Sequence, residues 1–249
     1  MIKGSAAVAL AAILILSSTI AAGAPTVKAQ QPNQSAHPIS NSTSSVNIVN
    51  YGAVITPPYG TRILGEVSND SPYPVGFIVI AGQFSVPDGR ETLTAYANPY
   101  LEQLRPGDKS PFSMSSPTER LVTYNLTLNW NKAPSKPAAL RIEITGQRTI
   151  GKDLYEILGL VTNTGRDDTD KVKVVAAVYD KTGRVIDATY TFTDPQLLTP
   201  GQSGAFQITG LLLNRTLDDV KSVKLTAESP NYFMIGPQLE LNRTQHELR

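Results

Sequence analysis

The sequence predicts an all-β protein: two tandem immunoglobulin-like β-sandwich domains after an N-terminal signal segment. Three observations carry this. Apolar residues recur with period two in short runs, as in Leu140, Ile142 and Ile144 against Arg141, Glu143 and Thr145, the pattern of a strand with one buried face. Turn signals such as Pro87-Asp-Gly89, Arg105-Pro-Gly107, Lys181-Thr-Gly183 and Thr199-Pro-Gly201 separate the runs, with no amphipathic helical stretch between them. Third, the chain repeats itself. ILGEVSNDS at 63–71 returns as ILGLVTNTG at 157–165. Gly89-Arg90 and Gly183-Arg184, Leu104-x-Pro106-Gly107 and Leu198-x-Pro200-Gly201, and Phe112 and Phe206 keep the same separation of 94. One register held over that distance marks a duplicated module. A module of six or seven short strands in about 90 residues fits a sandwich.

In chain order, Met1-Ile-Lys3 and the apolar run Ala6–Leu16 read as a signal peptide over residues 1–29. Cleavage is expected after Ala29 rather than Ala24, where Pro25 would follow the cut; the alternative is an uncleaved anchor. Residues 30–45 are a disordered polar spacer, with nothing to bury against the entropy of ordering. Domain 1 spans 46–130. Its last strand should place Tyr124, Leu126, Leu128 and Trp130 on one face. The linker 131–139, NKAPSKPAA, holds two prolines, so the domains are expected end to end, like beads on a short rod. Domain 2 spans 140–229. Its register slips from 94 to 99 after Phe206, since Leu126-Thr127 matches Leu225-Thr226, and the extra residues fall near 210–217. The C-terminal tail 230–249 contains Tyr232-Phe-Met-Ile235, which could add an edge strand.

Composition narrows the chemistry. A net charge of +1 argues against a nucleic-acid partner. The absence of cysteine removes disulfides, thiolate catalysis and thiolate metal sites. The two histidines, His37 and His246, lie near the two ends, so histidine-based catalysis and metal ligation are not expected in the folded part. No cofactor is implied and no catalytic residue is assigned.

Four further features stand out. Asp167, Asp168 and Asp170 form the densest acidic spot, a weak calcium candidate flanked by Arg166 and Lys171. Glycosylation sequons begin at Asn33, Asn41, Asn69, Asn125, Asn214 and Asn242. Tyr51, Tyr59, Tyr73, Tyr96 and Tyr100 concentrate in domain 1, with Tyr59 and Tyr73 as possible ligand contacts. Asn69 and Asn163 close strands, where their side chains can bond to nearby backbone and tolerate left-handed geometry.

Gly159-x-Val-x-Asn163, Ala176-Ala-Val-Tyr179-Asp180, Gly183-Arg-Val185 and Leu198-x-Pro-Gly-Gln202 with Phe206 together resemble the FxLYD-type domains of exported prokaryotic proteins. Domain 2 is the clearer copy, although Ala176 stands where that family's first Phe would be. Domain 1 is degenerate and reads Gln83-Phe-Ser-Val86 there. The resemblance implies an extracytoplasmic sandwich without a defined activity. The function expected is therefore non-enzymatic binding or scaffolding in the cell envelope, secreted or at the cell surface. Its partner would be another envelope protein or a surface glycan, and only an uncleaved N-terminal segment would touch a membrane. The alternatives are a carbohydrate-binding module using the domain 1 tyrosines, and a carboxylate-dependent hydrolase, which needs two carboxylates about 5–10 Å apart in a cleft.

Overall fold

The computed structural model describes residues 45–55, 60–85, 91–117 and 123–241, all within one compact unit, Thr43–Arg249. The signal segment, nearly all of the spacer, the Pro87-Asp-Gly89 turn, Tyr59, both histidines, and the sequons at Asn33, Asn41 and Asn242 lie outside the described residues. Domain 1 consists of β1 (Val46–Ile55), β2 (Thr61–Asn69), β3 (Val75–Ser85), β4 (Thr92–Ala97), β5 (Gln103–Leu104), β6 (Lys109–Ser115) and β7 (Thr123–Lys132). Domain 2 consists of β8 (Leu140–Ile150), β9 (Leu154–Asn163), β10 (Lys173–Asp180), β11 (Val185–Phe192), β12 (Ser203–Leu211), β13 (Val220–Glu228) and β14 (Phe233–Leu239). A 3-10 turn, Leu217–Asp219, sits in the insertion of domain 2. The fold is all-β, as the alternation and turns predict.

Each domain pairs two antiparallel sheets. In domain 1, β1-β2-β6 faces a sheet in which β3 carries β4 and β5 along one side and β7 along the other. In domain 2, β8-β9-β12 faces β11-β10-β13-β14. The duplicated residues meet in duplicated pairs. Gly65 lies opposite Phe112 across β2 and β6, and Gly159 lies opposite Phe206 across β9 and β12. Each phenylalanine ring lies across its glycine: a Cβ on Gly159 would stand 2.5 Å from the Phe206 ring, and one on Gly65 2.9 Å from the Phe112 ring.

The asparagines are a second duplicated device. Asn69 Nδ2 donates to the carbonyls of Tyr73 and Leu104, both at 2.9 Å, and its Oδ1 accepts from Ser71 N at 3.0 Å. Asn163 Nδ2 donates to Asp167 and Leu198, both at 2.9 Å, and its Oδ1 accepts from Gly165 N at 2.9 Å. The backbone oxygens of Asn69 and Asn163 accept from Gly107 N and Gly201 N at 2.7 Å. Both glycines hold a left-handed φ, 81° and 82°, which explains Pro-Gly at both turns. Neither asparagine is itself left-handed, so they are required for their amides rather than for backbone tolerance.

The domains are not beads on a rod. The even-numbered residues of β2 face outward from the domain 1 core, yet Leu64 is only 3% exposed, whereas its repeat partner Leu158 is 37% exposed. The difference is domain 2, whose β10 and β11 lie over β2 and β6. Val175 and Phe233 join the domain 1 core cluster, and Tyr100 meets Tyr190 edge-on at 5.5 Å. Tyr179 Oη donates to Glu66 Oε1 at 2.7 Å, and Arg105 stacks over Phe233 at 4.2 Å. The linker is tied down along its length: Ala133 N bonds to Pro74 O, Gln103 Nε2 to Pro134 O, Phe233 N to Pro137 O and Lys136 Nζ to Ser229 O. The four sheets therefore form one stack, with the two central sheets packed outer face to outer face.

The C-terminal segment adds β14 to β13, and Met234, Leu239 and Leu241 pack on the domain 2 core. After β7 the chain enters the linker instead, so β7 pairs with β3 alone among the described residues.

The duplicated lock makes a prediction. Asn69→Ala and Asn163→Ala each remove three side-chain hydrogen bonds from a buried amide, and each should cost roughly 2–4 kcal/mol. Urea unfolding checks this, and the two losses should be similar.

Candidate functional site

A groove of about 390 Å³ opens where β3, the loop after β4 and the linker meet. Phe77, Ile78, Pro99, Leu101 and Pro134 line it, with Lys136 at its margin. Its geometry begins in β3. Gly76 pairs with Asn131 and Val79 with Asn129, so Phe77 and Ile78 stand against the single residue Trp130 in a bulge. The bulge gives Phe77 a φ of 51°, and its side chain is 79% exposed. A bulky left-handed residue is a strained outlier. The strain belongs to the repeat, because Lys171, 94 residues on, has φ 48°. The aromatic side chain belongs to domain 1 alone. Asn98 Nδ2 donates to Ile78 O at 2.7 Å and ties the loop after β4 to the bulge.

A polar seam borders the groove. Glu228, on the outward face of β13, is 2% exposed. Its Oε1 accepts from Glu102 N at 2.7 Å and from Lys173 Nζ at 3.1 Å, and Lys173 also reaches Glu102 Oε1 at 3.3 Å. Glu228 Oε2 is buried without a hydrogen-bond partner. Burial raises the Glu228 pKa and the Lys173 ammonium only partly opposes it. Burial likewise raises Asp187, opposed by the Tyr155 hydroxyl, which donates to it at 3.0 Å. Tyr179 is pushed up by burial and then by the Glu66 carboxylate. Asn50 Nδ2 also donates to that carboxylate, at 3.0 Å. Glu102 and Glu228 are two carboxylates beside a cleft, and the Lys173 ammonium bonds to both.

The residues singled out in the sequence fall elsewhere. Asp167, Asp168 and Asp170 are exposed, and among the described residues no group of three or more His, Asp or Glu is placed to hold a metal. Asp167 N instead donates to Tyr232 Oη at 2.9 Å. Tyr73 is no free stacking platform, since Lys132 Nζ lies 4.1 Å from its ring centroid and Trp130 packs beside it. Tyr100 is spent on Tyr190 between the domains. Tyr96 stands outward on β4, 71% exposed. Asn69 is fully buried with both amide hydrogens donated, so a glycan there is incompatible with this fold. Asn125 and Asn214 are exposed. Phe77 was missed. Its signal was a dissimilar pair in the repeat register, since an aromatic and an ammonium exchange only where the position is open to water.

Glu228 gives a pH test. A carboxyl with a raised folded pKa binds its proton more readily in the folded state. That contribution is complete below the ordinary value near 4.5 and is lost as pH climbs through the folded value. Glu228→Gln keeps an acceptor for Glu102 N–H and removes the buried charge. Relative to the native chain it should be more stable at pH 7 than at pH 4, below the ordinary carboxyl value, where the raised folded value leaves the native carboxyl largely protonated. Urea midpoints at the two pH values measure this, and an unchanged difference refutes it.

No protein-family model matches the chain, and no curated protein matches it. Among solved structures it is similar to the red sea bream transglutaminase, at 10% identity over 79% of this chain and 32% of that one, with a TM-score of 0.27. It is similar in the same degree to a D341A D367A calcium-binding mutant of Bacteroides uniformis β-glucuronidase 2, at 10% identity over 77% of this chain and 27% of that one, TM-score 0.27. The chain thus spans about a third or less of the structures it matches, and likeness at this level carries no functional argument.

Proposed function

We propose that this is a non-enzymatic, extracytoplasmic binding or scaffolding protein of the cell envelope, in which two fused sandwiches form one rigid support. The FxLYD-type resemblance and the signal-like first 29 residues favour the location. The contact site is the groove beside Phe77, and the partner is another envelope protein that inserts apolar side chains there. One observation carries this reading: a phenylalanine is kept 79% exposed on a left-handed backbone, where glycine would be relaxed. Surface aromatics beside apolar grooves are typical anchors of protein interfaces.

The same residue supplies the test. Phe77→Gly relieves left-handed strain of about 1–2 kcal/mol and gives back about 0.5–1 kcal/mol in chain entropy. Stability should hold or rise slightly, while a buried phenylalanine would lose about 3–5 kcal/mol on truncation. A photo-reactive phenylalanine analogue at position 77 should cross-link an envelope protein on intact cells, and one at the exposed Gln83 should not. Equal labelling at both positions, or a large loss of stability in Phe77→Gly, would sink the proposal.

A further inference from the structure

We propose that two copies of this chain pair through β7, across a two-fold axis at Thr127, to join their β3-centred sheets into one continuous sheet. The observation is the strand itself. Thr123-Tyr-Asn-Leu-Thr127-Leu-Asn-Trp-Asn131 reads nearly the same in both directions about Thr127. Antiparallel pairing centred there sets Leu126 opposite Leu128 of the second copy and Tyr124 opposite its Trp130. On the other face Asn125 meets Asn129 and Thr127 meets Thr127. Every apolar residue finds an apolar one and every polar residue a polar one. A two-fold interface requires this, since residue i must suit j while j suits i.

Three features of the fold make this edge the place. Tyr124, Leu126, Leu128 and Trp130 are turned toward the domain 1 core but remain only half-buried, so a neighbouring strand would cover them. From Thr123 to Asn131 the strand carries no charge and no proline, the devices that keep edges from pairing. Three other edges have a charge, a proline or a bulge: β8 holds Arg141, Glu143 and Arg148 and a bulge after Ile144, β14 holds Pro237, and β1 has a bulge after Val49. The edges β4 and β12 share the lack of charge and proline but not the two-fold sequence pattern of β7. The third feature is the duplication. The equivalent edge of domain 2, on β13, is already occupied by β14, which pairs Val223 with Leu239 and Ala227 with Met234. The module is thus built to take a strand there, and among the described residues domain 1 supplies none.

A sheet-edge contact is smaller than the roughly 1,200 Å² of stable complexes, so the pairing should be a concentration-dependent equilibrium. It does not involve Phe77 or the groove. Sedimentation velocity on the purified full chain over the micromolar range should show monomer and dimer in exchange. Thr127 is exposed, so Thr127→Lys leaves the fold intact but sets two ammonium groups face to face at the axis. It should weaken the dimer at least about tenfold. Mixing Thr127→Lys with Thr127→Glu should restore it as a heterodimer, which a folding defect would not do. Because the chain has no cysteine, Thr127→Cys supplies a single thiol. Mild oxidation should link it to its mate, and Lys221→Cys, also exposed, should stay monomeric. A chain that is monomeric at every concentration, or a dimer indifferent to Thr127→Lys, overturns the proposal.

Discussion

The buried side-chain amide at the end of β2, and its copy at the end of β9, is the interaction on which the rest of the structure depends. Asn69 ties together three places along the chain: its own turn, the carbonyl of Tyr73 and the carbonyl of Leu104. A buried amide that satisfies all its hydrogens specifies one arrangement, because any shift leaves polar groups stranded away from water. With Leu104 fixed, the Pro-Gly turn that follows is fixed, and with it Arg105, whose backbone N–H and Nε both reach Asp108 Oδ2 at 3.0 Å. The short run from Pro99 to Arg105 then does two jobs. One end walls the groove with Pro99 and Leu101. The other sends the Glu102 N–H to Glu228 and the Arg105 guanidinium over Phe233. The groove and the seam between domains are thus two consequences of one fixed loop.

The seam mixes large apolar contacts with polar pins, and the magnitudes decide which dominates. Burying a side chain such as Leu64 contributes about 1.5–3 kcal/mol, and Val175, Phe233 and Ala188 add to it. The ion pair that crosses the seam, Lys173–Glu102, contributes less, since the Glu102 carboxylate stands largely in water, which screens the attraction. The pins act instead on orientation. Tyr179 must point at Glu66, and Glu228 must meet Glu102 N–H, so rotation of one sandwich on the other would strand buried polar atoms. Apolar area holds the domains together, and the polar groups choose the angle.

Much of the fold was legible because its determinants are local or repeated. Leu140, Ile142 and Ile144 declare their strand by alternation. Gly65 and Phe112, with Gly159 and Phe206, declare a pairing by recurring at one spacing. The packing of the domains was not legible, because alternation separates two faces of a strand without saying what covers the second. Ser222, Lys224 and Thr226 read as a solvent face, yet Ser222 and Thr226 are buried. Glu66 gives no sign in sequence that its acceptor role lies toward Tyr179, 113 positions away. The prolines of the linker suggested a rod, and stiffness alone does not tell an extended spacer from a strap bonded to both neighbours. Of the candidate site, Trp130 was noted as an aromatic and Phe77 was not. Its exposure comes from a bulge whose backbone sign no single sequence window contains.

The duplication supplies a control that a single domain would lack. Where the two copies agree, as at the glycine–phenylalanine pairs, the asparagines and the Pro-Gly turns, the residue serves the module. Where they differ at equivalent geometry, the module tolerates the change and another pressure sets the residue. The left-handed position carries lysine just before β10 in domain 2 and phenylalanine in the β3 bulge of domain 1, at nearly the same φ. Lysine there keeps its charge in water, as an exposed strained position favours. Phenylalanine in the same place exposes an apolar ring to water and gains nothing from the fold. The asymmetry therefore points away from folding as what sets the residue at position 77, as the proposed contact site requires.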